Sequence, residues 1–170
     1  QGNSWINGVH KHATAMELRN YIGNERFDNY FKFAFVRNPI EWQISLYEYI
    51  KGTQHRDHEI VKKLTFKEFV FREIDNKAKL QSDFIFYDGC CLVDFIGKVE
   101  KIEKDMDHVS QVLGLGLGEV KSRGLMHLNK SKRKETKTYL DAEVTAAILD
   151  YYRKDFQLFG YEQRDSKLEF

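Results

Sequence analysis

The sequence predicts an α/β fold in which a parallel sheet is flanked by helices. One observation is a strongly apolar run at 31–36 that passes directly into a helical pattern at 40–50. A second is the repetition of that order, since a strand-like run at 92–99 precedes a helical pattern at 102–113. Strands that alternate with helices favour crossover connections and hence a parallel sheet. The 170 residues are predicted to form a single domain.

The first strand-to-helix junction carries the strongest local signals. Five of the six residues at 31–36 are apolar or aromatic, which is expected of a strand buried on both faces of a parallel sheet. Arg37, Asn38 and the only proline, Pro39, follow at once. Asn38 suits a helix cap and Pro39 the first helical position, which leaves backbone N–H groups exposed at the helix start. Such a junction commonly binds anions.

Three further helix starts are marked by capping residues. Thr14 followed by Glu17, and Thr65 followed by Glu68, have the spacing of a capping box. Asp141 precedes a last helical pattern that runs to about residue 152. These signals place helices after residues 14, 65 and 141.

Composition excludes several classes of protein. The formal net charge is +1, so no global field attracts nucleic acid, and no nucleic-acid partner is expected. Cys90 and Cys91 are the only cysteines, and adjacent cysteines rarely pair, so the chain is not a disulfide scaffold. No apolar run is long enough for a transmembrane segment, and no signal peptide is evident at the start.

Three groups of side chains could carry chemistry. The Arg37 guanidinium can bind a phosphate in a bidentate manner, and Ser45 lies about two helical turns further on. His10 and His12 stand just before the helix capped by Thr14. A run of five basic residues lies at 130–137. The alternatives are a surface ion pair at Arg37 with Ser45 merely small, two solvated histidines and a solvated loop.

A resemblance to a known family favours the functional alternatives. The sequence Phe35-Val36-Arg37-Asn38-Pro39 followed by Ser45 resembles the 3′-phosphate-binding motif of sulfotransferases. It is most similar to the carbohydrate branch, which includes uronyl 2-O-sulfotransferases, chondroitin-type Golgi enzymes and their bacterial relatives. Further similarities follow in the family's order, and together they cover most of the chain. These further segments lie at Gln81 with Asp83, 93–100, 127–133 and 155–161.

The resemblance implies a role for each candidate residue. Arg37 and Ser45 would hold the 3′-phosphate of 3′-phosphoadenosine 5′-phosphosulfate, the co-substrate, with Asn38 at the helix start beside them. No metal is implied. The basic loop, with Lys132 and Arg133 as its candidates, would cover the donor's phosphates.

The histidine pair would supply the base of the reaction. His12 would take the acceptor's proton, and His10 would assist or bind the acceptor. The position agrees with elementary electrostatics, because a helix N-terminus favours the neutral imidazole.

The sequence departs from the family's pattern in two places. No strand and Gly/Thr-rich phosphate loop with a lysine precedes His10. The implied fold is therefore a P-loop-NTPase-like parallel sheet that lacks the first strand and phosphate loop, and the chain is expected to be incomplete at its N-terminus. Trp42 also stands where the family often has an arginine.

The sequence therefore predicts a sulfotransferase that acts on a hydroxyl, with a carbohydrate as the favoured acceptor. The alternative is a non-catalytic nucleotide-binding module or a structural remnant of such a domain. A P-loop kinase relative fits less well, because the Walker lysine is missing. A cytoplasmic location is preferred, with the Golgi lumen expected if the chain is part of a membrane-anchored enzyme. The oligomeric state, the acceptor and the host stay open.

Overall fold

The computed structural model describes residues 5–6, 9–115 and 135–161. The chain divides into two compact units. The first unit comprises Gln1–Val36 and Lys79–Met126, and the second comprises Arg37–Ala78 and His127–Phe170. One boundary falls at the predicted strand-to-helix junction. The single domain over 1–170 stays a prediction, and the two units are described separately below.

Strands and helices alternate along the described chain. The elements in chain order are β1 (Trp5–Ile6), β2 (Val9–His10), α1 (Ala15–Ile22), α2 (Asn24–Asn29), β3 (Phe33–Val36), α3 (Pro39–Gly52), α4 (His58–Val61), α5 (Phe66–Asp75), α6 (Ser82–Ile85), β4 (Phe86–Tyr87), β5 (Cys90–Cys91), β6 (Phe95–Lys98), α7 (Ile102–Val112), α8 (Ala142–Tyr151) and α9 (Arg153–Leu158). Short 3₁₀ helices span Val99–Lys101 and Thr136–Thr138. Both predicted strand-to-helix pairs are present, as β3 with α3 and as β6 with α7.

The sheet of the first unit is small and parallel. Strand β3 pairs with β6, with Phe33 opposite Phe95 and Phe35 opposite Gly97. The Phe35 ring covers Gly97 so closely that a Cβ at position 97 would lie 2.5 Å from a ring carbon. Helix α7 packs on β6, while β1 with β2 and β4 with β5 form antiparallel pairs. A small parallel sheet flanked by helices confirms the predicted α/β class.

Hydrogen bonds between Lys32 and Asp94 start the parallel ladder. The Lys32 backbone N–H donates to the Asp94 carboxylate at 2.7 Å, and the Asp94 N–H donates back to the Lys32 carbonyl at 2.8 Å. The Lys32 ammonium also lies 2.9 Å from the same carboxylate. Three contacts therefore fix the register of β3 against β6 at the point where the ladder begins.

The prediction that the first strand is buried on both faces is wrong. Val36, at its end, is only 2% exposed, but Phe33, at its start, is 41% exposed. The reason is that Phe33 lies on the wall of a cavity in the first unit and contacts other aromatic rings of its own segment. Apolar composition alone does not distinguish a side chain packed in the core from one that lines a cavity.

The predicted helix caps are confirmed. The Thr14 hydroxyl accepts from the Glu17 N–H at 3.1 Å, and the Glu17 carboxylate accepts from the Thr14 N–H at 2.7 Å. Thr65 and Glu68 form the same reciprocal pair at the start of α5. The Asp141 carboxylate accepts from the N–H of the third residue of α8 at 2.8 Å.

The second unit is built around α3. This helix packs on α4, α5 and α8, and α8 packs in turn on α5 and α9. The buried face of α3 packs against aromatic residues of the neighbouring helices. The buried apolar side chains of this unit are Ile44, Tyr47, Ile50, Val61, Phe66, Phe69, Val70, Val144, Ile148, Tyr152, Phe156 and Phe159.

The cysteines and the shortest strands complete the description of the first unit. Cys90 and Cys91 are exposed free thiols beside a turn. The two-residue strands β1, β2, β4 and β5 were not predicted, because periodicity cannot be read over two residues. None of the helices in the described residues has the length and apolar composition needed to cross a bilayer.

The Lys32–Asp94 contact predicts a pH-dependent contribution to stability. The Lys32 ammonium, followed by the Lys32 backbone N–H, lowers the pKa of Asp94 below its ordinary value. A lowered folded-state pKa contributes stability above the unfolded pKa of about 3.9 and loses it as the pH falls through the folded value. The free energy of unfolding of Asp94→Asn should therefore lie below wild type at neutral pH, and the gap should narrow in acid.

Urea unfolding at a series of pH values measures this gap. Asp88→Asn is the matched control, since Asp88 lies exposed in the turn between β4 and β5, and it should follow the wild-type curve. A difference between Asp94→Asn and wild type that is equal at neutral and at strongly acid pH would contradict the expectation.

Candidate functional site

The start of α3 is built as the sequence predicts, with one electrostatic difference. Pro39 is the first residue of the helix, and the Asn38 side-chain oxygen accepts from the Ile40 N–H at 3.0 Å. The first helical bond runs from the Trp42 N–H to the Asn38 carbonyl at 2.8 Å. Because Pro39 has no N–H and the Ile40 N–H is capped, this helix start presents fewer N–H groups to an anion than expected.

The Arg37 side chain extends along the first turn of α3. Its Nη2 atom lies 3.9 Å from the Glu41 Oε2 atom, and both side chains are about a quarter exposed. Ser45 follows Glu41 by four residues and so lies one helical turn beyond it on the same side. Six residues separate Pro39 from Ser45, which corresponds to about 9 Å along the helix axis. The contact with Glu41 places the guanidinium beside the first turn of the helix, on the side that carries Ser45.

Ser45 occupies the middle of a polar row on α3. Glu41, Ser45 and Glu48 recur at helical spacing, and together with Arg37 we call them the clamp face. Ser45 is half-buried, and its hydroxyl makes no hydrogen bond within the described part of the chain. Its donor and both acceptor sites are therefore available to a ligand.

The segment at 135–139 is anchored to the clamp face on both sides of Ser45. The Thr136 hydroxyl donates to the Glu41 carboxylate at 2.6 Å, and the Tyr139 hydroxyl donates to the Glu48 carboxylate at 2.9 Å. These contacts join residues 95 and 91 positions apart in the sequence. The separation in sequence explains why neither partner could be predicted from the sequence.

The basic loop lies largely outside the described residues. His127, Lys132 and Arg133 belong to this undescribed part, so their predicted roles stay predictions. Lys137, the last basic residue of the run, is exposed and lies 3.0 Å from the Glu135 carboxylate. The chain that follows the loop is therefore held at the clamp face from Thr136 onward.

Trp42 has a packing role. Its ring meets the Tyr152 ring edge to face, with centroids 5.8 Å apart and planes at 78°. The residue that replaces the family's arginine thus contributes to the core of the second unit.

The two candidate histidines lie together in the first unit. The Ala13 N–H donates to the His10 carbonyl at 2.8 Å, which closes a turn, and the His12 N–H donates to the His10 Nδ1 atom at 3.1 Å. The ring centroids are 5.4 Å apart. Because Nδ1 of His10 accepts a hydrogen bond, the proton of its neutral ring resides on Nε2. His10 is thereby arranged as a donor, which leaves the exposed His12 as the better base.

The capping box of α1 adds a fixed negative charge next to this turn. The Thr14 backbone N–H, followed by the Thr14 hydroxyl, lowers the pKa of Glu17, and His10 is a smaller contributor. The ionised Glu17 carboxylate is thus held at the helix start, close enough to His10 to interact with it electrostatically.

No cluster of three or more His, Cys, Asp or Glu residues able to hold a metal ion is present among the described residues.

Comparison with known proteins identifies the family. The profile of the sulfotransferase family matches residues 3–162. This chain belongs to the sulfotransferase family. It is 27% identical to carbohydrate sulfotransferase 11 of Mus musculus over 193 residues, which cover 91% of this chain and 54% of the relative. The protein of the same name from Rattus norvegicus is 26% identical over the same coverage.

The other comparisons set the extent of the similarity. An uncharacterised protein of Archaeoglobus fulgidus is 32% identical over 105 residues, which cover 59% of this chain and 82% of the relative. The chain spans about half the length of the carbohydrate sulfotransferases that it matches. No solved structure matches it significantly. The resemblance predicted from the sequence motifs is confirmed at the level of the family.

The anchoring of the 135–139 segment leads to a test of stability. Thr136→Val keeps the shape of the side chain but removes the donor to Glu41. A hydrogen bond to a charged group is worth about 1.5–3 kcal/mol, and partial exposure should reduce the loss to about 1 kcal/mol. Thr138→Val is the matched control, because the exposed Thr138 hydroxyl has no hydrogen bond in the described part of the chain. Urea unfolding should separate the two variants, and equal losses would contradict the anchoring role.

Proposed function

We propose that this member of the sulfotransferase family transfers a sulfuryl group from 3′-phosphoadenosine 5′-phosphosulfate to a hydroxyl, with a carbohydrate as the favoured acceptor class. The observation that carries the proposal is the clamp face, where the Arg37 guanidinium lies beside Glu41 and Ser45 follows one helical turn further on the same side of α3. The family supports the reaction, and the relatives named carbohydrate sulfotransferase support the acceptor class.

The clamp face has the groups that a phosphate monoester requires. Arg37 would provide the positive charge and the bidentate donors, and the Ser45 hydroxyl would add one hydrogen bond. Asn38 would act mainly by capping the helix, since its side-chain oxygen already binds the Ile40 N–H. Lys132 and Arg133 remain proposed partners of the donor's phosphates.

Two carboxylates at the clamp face, those of Glu41 and Glu48, would repel an anion, and each accepts a hydrogen bond from another side chain. Glu41 lies beside Arg37 and accepts from Thr136, while Glu48 accepts from Tyr139. A hydrogen bond to a carboxylate lowers the charge that it presents to other groups. A bound phosphate would compete with Glu41 for the Arg37 guanidinium, so the affinity depends on how readily that long 3.9 Å contact is given up.

The first unit would supply the base. His12 would accept the proton of the acceptor hydroxyl as its oxygen bonds to sulfur, while the bond from sulfur to the donor's phosphate oxygen breaks and 3′-phosphoadenosine 5′-phosphate leaves. His10, with its proton on Nε2, would donate a hydrogen bond to the acceptor or to the transferring group. A positioned base contributes about 10²- to 10⁴-fold in rate.

The finer description of the fold belongs to the same proposal. Strand β3 leading into the Arg37 turn and α3 is consistent with a P-loop-NTPase-like sheet. The preference for a cytoplasmic location also stays a prediction. A non-catalytic nucleotide-binding module stays the alternative, and the nucleotide titration and the transfer assay below separate it from the enzyme.

The clamp face predicts the affinity for the desulfated nucleotide. Arg37→Lys keeps the charge but loses the bidentate geometry, so binding of 3′-phosphoadenosine 5′-phosphate should weaken about 10- to 100-fold. Arg56→Lys is the matched control, since Arg56 is 88% exposed in the same unit and should leave binding unchanged. Titration calorimetry measures both. Equal affinities of Arg37→Lys and wild type would refute the clamp.

The base predicts the rate of transfer. His12→Ala should lower turnover about 10²- to 10⁴-fold while leaving nucleotide affinity unchanged, because the histidine would act only on the acceptor proton. His10→Ala should have a smaller effect, and His55→Ala, a loop histidine of the second unit, should have none. Transfer of labelled sulfate to a hydroxyl acceptor is the assay. Wild-type turnover by His12→Ala would sink the assignment, and binding without any transfer would favour the non-catalytic module.

A further inference from the structure

The first unit contains a cavity of about 460 Å³ that has no role in the proposed reaction as described above. A volume of this size suits a small molecule. Its wall is formed by α1, α2, β3 and α6 and by the segments beside them. The lining residues include Leu18, Phe27, Tyr30, Lys32 and Phe33.

The cavity adjoins the candidate base through the chain itself. Ala13 and Thr14 are lining residues, and they directly follow His12. Consecutive Cα atoms are about 3.8 Å apart, so the backbone of His12 is within one residue of the cavity wall. A molecule that fills the cavity therefore lies close to the turn that carries the two histidines.

The wall offers apolar surface and one cation that is already neutralised. Lys32 is the only charged residue among the lining side chains in the described chain. Its ammonium lies 2.9 Å from the Asp94 carboxylate and donates to the Tyr30 carbonyl at 2.7 Å. A carboxylate or sulfate placed here would lose its hydration without gaining a new positive partner, which is costly. A polyanionic sugar chain does not fit this wall.

The rim of the cavity is exposed in the way a binding site requires. Leu18, Tyr30 and Phe33 are 37%, 62% and 41% exposed, although each is a large apolar or aromatic side chain. Such side chains keep water in contact with apolar surface until a ligand covers them, and covering them is favourable by roughly 25 cal/mol per Å².

We infer that the acceptor of this sulfotransferase carries an uncharged apolar ring or chain next to its reacting hydroxyl, and that this part binds in the cavity lined by Leu18, Phe27 and Phe33. A glycoside with an aromatic aglycone has both features, since its sugar supplies the hydroxyl and its aglycone the apolar ring. The inference rests on the proposed function, and it narrows the acceptor from carbohydrates in general to carbohydrates with an apolar substituent.

Two glycosides of one sugar test the inference on the wild-type protein. 2-Naphthyl β-D-glucoside and methyl β-D-glucoside have the same hydroxyls and differ only in the aglycone. Titration calorimetry should show the naphthyl compound binding at least tenfold more tightly. Equal affinities, or no binding of the naphthyl compound at millimolar concentration, would overturn the inference.

A pair of matched variants locates the binding. Leu18→Ser removes an apolar lining side chain and should weaken binding of the naphthyl glycoside about five- to tenfold. Leu113→Ser is the control, because Leu113 is 45% exposed in the same unit but does not line the cavity, and its affinity should match wild type. The wild-type comparison remains decisive if Leu18→Ser does not fold. Equal affinities of a folded Leu18→Ser and wild type would place the ligand elsewhere and refute the site.

The titration with 3′-phosphoadenosine 5′-phosphate separates this inference from the proposed function. Nucleotide binding without any preference for the naphthyl glycoside refutes the apolar acceptor and leaves the proposed function intact. Naphthyl glycoside binding without nucleotide binding refutes the proposed function.

Discussion

The orientation of α3 depends on one buried polar contact. The Gln43 side-chain amide donates to the Tyr152 hydroxyl at 2.8 Å, and both side chains are almost completely buried. Burial, followed by the neighbouring Tyr151, raises the pKa of Tyr152 far above its ordinary value, so the phenol stays protonated at any physiological pH. A buried hydrogen bond is satisfied in one arrangement only, whereas apolar contacts tolerate small rotations. The contact therefore sets the rotation of α3 about its axis.

That rotation determines which residues form the clamp face. Gln43 and Ser45 are two positions apart, so their side chains point about 200° apart around the helix axis. With Gln43 directed at Tyr152 in the core of the second unit, Ser45 must face away from that contact. Trp42 adds a second constraint next to Gln43, because its ring packs edge to face on the same tyrosine. Packing in the core thus positions a side chain that takes no part in the core.

Charge on the clamp face is balanced rather than simply positive. Glu41 and Glu48 lie on both sides of Ser45, yet each accepts a hydrogen bond from the segment at 135–139. The same contacts hold the chain immediately after the basic loop. The two carboxylates would repel an anion, and they also hold the segment that follows the basic loop in sequence. With a net charge of +1, any attraction of the proposed phosphate has to come from the local placement of Arg37 relative to these carboxylates.

Local signals in the sequence predicted the local structure well. The Thr14–Glu17 and Thr65–Glu68 capping boxes and the Asn38–Pro39 helix start are formed as expected, because each depends on neighbours within three residues. The exposure of Phe33 and the hydrogen bond from Thr136 to Glu41 could not be predicted. Both depend on residues far away in the sequence, and a single sequence contains no measure of such pairings.

The residues proposed to bind the donor and those proposed to bind the acceptor lie in different units of the chain. The clamp face is formed by Arg37 and three residues of α3 in the second unit, whereas the apolar cavity belongs to the first unit. Substitutions at cavity positions such as Leu18 or Phe33 leave the Arg37 to Ser45 spacing untouched. At 26–27% identity to carbohydrate sulfotransferases, most positions of the chain differ from those relatives. A shared donor with a different acceptor is therefore physically straightforward, because the residues proposed to bind each are carried by different parts of the chain.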